Sequence, residues 1–105
     1  MSYSKYHAKK ETVDGITFAS KHEAKRYREL KLLERAKAIS DLQLQVTFPL
    51  VRKSEYGREI KYIADFVYYE DGKLVVEDTK GFRTDVYKLK KRLMAELYGI
   101  EIKET

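Results

Sequence analysis

Apolar and polar positions fall into distinct periods along this chain. From Glu23 onward, apolar residues recur at positions 24, 27, 30, 33 and 36, with charged residues between them. That spacing predicts an amphipathic helix over "SKHEAKRYRELKLLERAKA", residues 20–38. The period then changes. "SDLQLQVTFPLVRK" alternates Leu42, Leu44, Val46 and Phe48 with polar residues, which is strand patterning. "REIKYIADFVYY" and "KLVVEDT" read as two further strands around Asp71-Gly72. A second helix follows in "TDVYKLKKRLMAELYG", with Val86, Leu89, Leu93, Met94 or Ala95, and Leu97 as its apolar side and Gly99 as its stop. "IEIK" closes as a short strand. Near the start, Asp14-Gly15 between Val13 and Ile16 signals a short hairpin.

The order is helix, three-stranded meander, helix, strand. It predicts an α/β (α+β) fold with helices packed on a mixed sheet. The whole chain, 1–105, reads as a single domain, with residues 1–19 as an N-terminal hairpin or extension and 20–103 as the core. There is one proline and no repeat or linker-like run.

Composition narrows the chemistry. With no cysteine, disulfides and thiolate zinc sites are excluded. No apolar run reaches the roughly 20 residues a membrane helix needs, so the expectation is a soluble, cytoplasmic protein without a membrane partner. Lysine and arginine number 22 against 17 acids, a net +5, which favours polyanionic partners without requiring them. The two histidines, His7 and His22, lack a serine or cysteine partner at an informative position. No glycine-rich phosphate loop is present either.

The hairpin "YIADFVYYEDGKLVVEDTKG" carries the most unusual signal. If Asp71-Gly72 forms a two-residue type I′ turn, paired positions bring Asp65 opposite Asp78, and Ile63 opposite Lys80. Two carboxylates facing each other destabilise a strand pair unless a positive charge lies between them. A hard divalent cation would supply it, and Lys80 on the same face would stabilise charge on a phosphate or orient a water. The bland alternatives are a bulged turn that separates the acids, or a surface cluster in which Lys80 and Arg83 pair with Asp78. Glu77, on the other face, reads as a salt-bridge or helix-contact residue.

Glu23 has two readings. Four residues before Tyr27, it lies on the side of the first helix that faces the sheet, where it would complete a metal site. It is also the last position of a capping box, Ser20-Lys21-His22-Glu23.

Asp65, a hairpin, Asp78-Thr79-Lys80 and a helix glutamate together resemble the PD-(D/E)XK nuclease superfamily, whose α-β-β-β-α-β core matches this order. "FASKHEAKRYREL", "DLQLQ", "YIADFVYYEDGKLVVEDTKGF" and "YKLKKRL" are also similar to a small phage and prophage family of unknown function. That family is grouped with Holliday-junction-resolvase-like and transposon-end-cleaving endonucleases. The resemblance implies a phage- or prophage-encoded, Mg²⁺-dependent endonuclease acting on DNA, with Mn²⁺ as a substitute ion. It implies Asp65, Asp78 and Glu23 as metal ligands and Glu23, Asp65, Asp78 and Lys80 as the catalytic set. Ala64 stands where the motif has proline. Gln45 looks like a glutamine found near the site in related nucleases, and reads equally as an exposed strand residue. Arg83, Lys88, Lys91 and Arg92 would track phosphates, or form a solvated helix face. Cutting two strands needs two active sites, which is compatible with a homodimer. The alternative is a nucleic-acid-binding module or phage interaction protein without catalysis.

Overall fold

The computed structural model describes residues 9–79 and 83–105. Its elements are β1 (Glu11–Val13), β2 (Ile16–Phe18), α1 (Lys21–Arg35), β3 (Ser40–Val51), β4 (Ile60–Glu70), β5 (Lys73–Asp78), α2 (Asp85–Tyr98) and β6 (Lys103–Glu104). Strands β3-β4-β5-β6 form one mixed sheet, antiparallel except for the parallel β5–β6 pair, and β1–β2 form a separate hairpin. The α+β class expected from the hydrophobic pattern is the class observed.

Both Asp-Gly turns form as the sequence demands. Asp14 and Gly15 have φ of 52° and 76°, and Asp71 and Gly72 have the same pair of values. Positive φ at both central residues defines the type I′ turn that matches the twist of the flanking strands. The β4–β5 register follows from it: Glu70 pairs with Lys73, Tyr69 with Leu74, Val67 with Val76 and Phe66 with Glu77.

The helices cover opposite faces of the sheet. Ala24, Tyr27 and Leu30 of α1 pack with Phe18, Ile39, Phe66 and Tyr68. Tyr87 and Met94 of α2 pack with Leu50, Tyr62, Ala64, Val67, Val76 and Ile102. The alternation that marks β3 does not keep to one face. Leu42 and Leu44 join the α1 cluster, whereas Val46 and Phe48 join the α2 cluster. Strand β4 changes faces at the same level, with Tyr62 and Ala64 on the α2 side and Phe66 and Tyr68 on the α1 side. The change in β3 falls at Gln45, whose φ of 53° is left-handed in the middle of a strand. The flanking pairs Leu44–Phe66 and Val46–Ala64 place Gln45 level with Asp65.

Two helix stripes are corrected. Repeated three-residue steps lose about 60° each on a helix of 3.6 residues per turn. The 24-27-30-33-36 series therefore drifts off the buried face: Leu33 is partly exposed, Ala36 lies beyond the helix end, and Glu23 is buried in their place. On α2 the buried residues are Tyr87 and Met94. Val86, Leu89 and Leu97 are exposed, because the buried face is centred one residue round, where Tyr87 supplies more apolar surface than Val86.

The strongest tie between helix and sheet is charged. Arg26 grips Glu77 in bidentate fashion, Nε to Oε1 at 2.9 Å and Nη2 to Oε2 at 2.7 Å, and the Tyr68 hydroxyl donates to the same carboxylate. Burial pushes the Glu77 carboxyl up, but hydrogen bonds from Arg26 and Tyr68 outweigh it and hold it below the usual carboxylate range. Arg26→Met alone should cost about 3–5 kcal/mol, because it strands a buried charge. Adding Glu77→Leu should recover much of that loss. Urea unfolding of the two variants checks this; a double variant no better than the single one would contradict it.

Candidate functional site

The site is assembled from three elements. Ser20 caps α1, its hydroxyl accepting the Glu23 N–H at 3.1 Å. This is half of a capping box. The Glu23 carboxylate does not close the other half; it turns toward the sheet, where Gln45 Nε2 lies 3.3 Å from Oε2. The same Gln45 nitrogen lies 3.4 Å from Asp65 Oδ1. A glutamate from α1, a glutamine from β3 and an aspartate from β4 thus meet where the strands change faces. The Glu23 backbone N–H is thus capped by Ser20, while its side chain faces Gln45 on the sheet.

Asp65 is fixed from below by β5. Its Oδ2 accepts from the Thr79 N–H and the Thr79 hydroxyl, both at 2.9 Å. The backbone ladder stops one pair short, at Phe66–Glu77. Asp78 is buried, and its Oδ2 accepts from the Tyr62 hydroxyl at 2.6 Å. The charge of the two aspartates expected to face each other is therefore met by neighbouring donors, two from Thr79 and one from Tyr62. Burial and the Asp78 hydrogen bond raise the Tyr62 hydroxyl pKa well above its usual value, so it remains a donor.

Burial first, then the charge of Asp65, push the Glu23 carboxyl pKa up; the backbone N–H of Ala19 works the other way, and Asp78 adds to the rise. All three carboxylates therefore share one electrostatic neighbourhood. Two cavities flank it. One of about 280 Å³ opens beside Glu23, Leu44 and Gln45. The other, about 330 Å³, opens beside Tyr62, Asp78, Thr84 and Tyr87.

Among the described residues, no three His, Cys, Asp or Glu side chains stand together as a ready metal-binding set. The oxygens of Glu23, Asp65 and Asp78 are nonetheless the hard donors that Mg²⁺ takes. Lys80 lies outside the described residues. The basic residues on or just before α2 divide. Arg83 and Lys91 both reach Glu104 on β6, with Lys91 Nζ at 3.1 Å, whereas Lys88 and Arg92 are exposed. Arg83 thus pairs with Glu104. Together with Tyr87 and Lys91 it lowers the Glu104 carboxyl pKa to about 2. The sequence reading missed Tyr62 and Thr79 as donors to the aspartates; their signal is their position, Thr79 next to Asp78 and Tyr62 three residues before Asp65.

An acidic site built where a mixed sheet splits between two helices defines the class of domain. The chain belongs to the family described as "Protein of unknown function (DUF1064)", whose model matches residues 3–105. No curated protein and no solved structure matches the chain. No helix among the described residues is long and apolar enough to cross a membrane.

The raised Glu23 pKa has a defined sign. The native state binds more protons than the unfolded chain above pH 4.5, so the contribution of Glu23 to stability falls as pH rises through its titration. In metal-free buffer, Glu23→Gln should therefore gain stability relative to the parent as pH rises from 4 to 7. Ser20→Ala should lose about 0.5–2 kcal/mol at every pH, because it removes the cap alone. Thermal melts across that range check both, and a pH-independent difference for Glu23→Gln would contradict the first.

Proposed function

We propose that this protein is a Mg²⁺-dependent DNA endonuclease that hydrolyses phosphodiester bonds. One observation carries the reading: Glu23 of α1 is brought by Gln45 to Asp65 of β4, with Asp78 of β5 near enough to raise its pKa. Acids from three elements lie close enough to shift the Glu23 carboxyl pKa, a feature that clusters at functional sites. The left-handed φ of Gln45 adds to this, since such strain in a non-glycine residue costs roughly 1–3 kcal/mol and concentrates at functional sites.

The donor set fits a hard divalent cation held by Asp65 and Asp78, with Glu23 as a third ligand directly or through water. Bound there, Mg²⁺ would polarise the phosphodiester and lower the pKa of a water. The chain's own groups position the acids. Thr79 anchors Asp65 Oδ2 and leaves Oδ1 on the Gln45 side. Tyr62 holds Asp78 through one oxygen. Gln45 spans Glu23 and Asp65 and sets their separation. The resemblance assigns Lys80 to phosphate charge or to the attacking water.

A nucleic-acid-binding module without catalysis is the second reading. It draws on the hydrogen bonds from Thr79 and Tyr62, which would by themselves justify both aspartates structurally. Cleavage decides between the two. Supercoiled, linear, single-stranded and four-way-junction DNA should be cut with Mg²⁺ or Mn²⁺ and left intact in EDTA. Asp65→Asn and Asp78→Asn should remove cutting while remaining folded, and Glu23→Gln should lose most of it. A divalent ion at about 100 times its Kd should stabilise the parent by roughly 2.7 kcal/mol. Absence of cleavage on every substrate, with no ion-dependent rise in Tm, would leave the binding module.

A further inference from the structure

Strands β3 and β4 extend past the site and join through residues 52–59. The tip is well built. Ser54 and Gly57 exchange backbone hydrogen bonds at 3.0 and 3.2 Å around Glu55 and Tyr56. The Ser54 hydroxyl accepts the Tyr56 N–H at 3.1 Å. On this turn Tyr56 is 91% exposed, against 62% for Leu32 and Val86, the next most exposed large apolar residues among those described. An ordered turn that holds an aromatic ring in water gains nothing from it in folding. Flanking Tyr56 in the chain are Arg52, Lys53, Arg58 and Lys61, all exposed, together with Glu55 and Glu59. Arg83 and Lys91, by contrast, are bound to Glu104.

We propose that this hairpin tip is a second nucleic-acid contact, in which the Tyr56 ring stacks on an accessible base while Arg52, Lys53 and Arg58 hold the adjoining phosphates. An aromatic ring among cations is the device by which proteins bind strands whose bases are open, since every base has a face to stack on. A closed duplex offers such a face only at its ends. The tip therefore selects DNA with unpaired bases. Tyr56 precedes Asp65 by nine positions, so at about 3.3 Å per residue the tip lies up to roughly 30 Å from the acids. It thus lengthens the footprint without entering the chemistry. The inference rests on the proposed DNA substrate and extends it.

The test is binding of the full chain in EDTA, by fluorescence anisotropy, to a 30-nucleotide single strand and a 30-base-pair blunt duplex. The parent should prefer the single strand. Tyr56→Ala should weaken single-strand binding about tenfold or more with Tm unchanged, and Tyr56→Trp should keep it. Changing Arg52, Lys53 and Arg58 to Gln together should reduce the single-strand salt slope by about 2. Tyr56→Ala binding as tightly as the parent would overturn the tip contact and leave the nuclease reading intact. Parent binding to neither DNA would overturn the tip contact, and the nuclease reading stands or falls separately on cleavage. Normal binding defects at the tip without cleavage by the parent would sustain the tip and overturn the nuclease alone.

Discussion

Glu77 is the constraint on which the arrangement of the molecule depends. It is fully buried in β5, and three parts of the chain converge on it: Arg26 from α1, Tyr68 from β4 and Thr105 from the C-terminal end, whose hydroxyl lies 3.3 Å away. A buried ion pair of this kind contributes little net stability compared with a well-packed apolar substitute. Its effect is on geometry. Arg26 lies three residues after Glu23, on the same side of the helix. Fixing the guanidinium on Glu77 therefore sets both the rotation of α1 and its position along the sheet. Apolar contacts at Ala24, Tyr27 and Leu30 hold the helix against the sheet, and the Arg26–Glu77 pair adds a fixed polar reference for its rotation.

The second constraint is the change of faces at Gln45 and Asp65. In a regular strand, alternate residues stay on one side. Here each strand reverses its facing between neighbouring even-numbered positions, so that one sheet presents apolar residues to α1 at one end and to α2 at the other. The level at which it reverses is where Asp65 lies between Glu23 on one side and Asp78 on the other. Local strain, buried acid and two flanking cavities coincide there. A site at such a boundary draws on residues from both faces, which a flat sheet would keep apart.

Cationic charge is spread unevenly. On α2 part of it is absorbed by Glu104, which is held by Arg83, Lys91 and the Tyr87 hydroxyl. Those contacts fasten β6 and α2 together, a structural use of side chains that the sequence alone offers equally to phosphates. The β3–β4 tip keeps its cations exposed in the same stretch of chain as one exposed ring. The net +5 of the chain is therefore a weaker guide to partners than the places where its charge remains unpaired.

Local chemistry made much of this legible in the sequence. Asp14-Gly15 and Asp71-Gly72 demand positive φ at two successive positions, which dictates both hairpins and the β4–β5 register. Ser20, Thr84 and Gly99 mark helix ends by the hydrogen bonds and backbone angles they favour. The same turn rule makes Asp65 and Asp78 the next facing positions beyond the Phe66–Glu77 pair. Three things depended on contacts between residues far apart in sequence. The left-handed Gln45 has no local cause, since glutamine does not favour that region; the two helix faces impose it by demanding opposite orientations from one strand. The buried face of α2 was chosen by Tyr87 and Met94 meeting the sheet, not by the best apolar stripe. The buried Asp78 and half-buried Asp65 also found Tyr62 and Thr79 as donors, because a carboxylate withdrawn from water needs hydrogen bonds and only the folded sheet determines which donors are within reach.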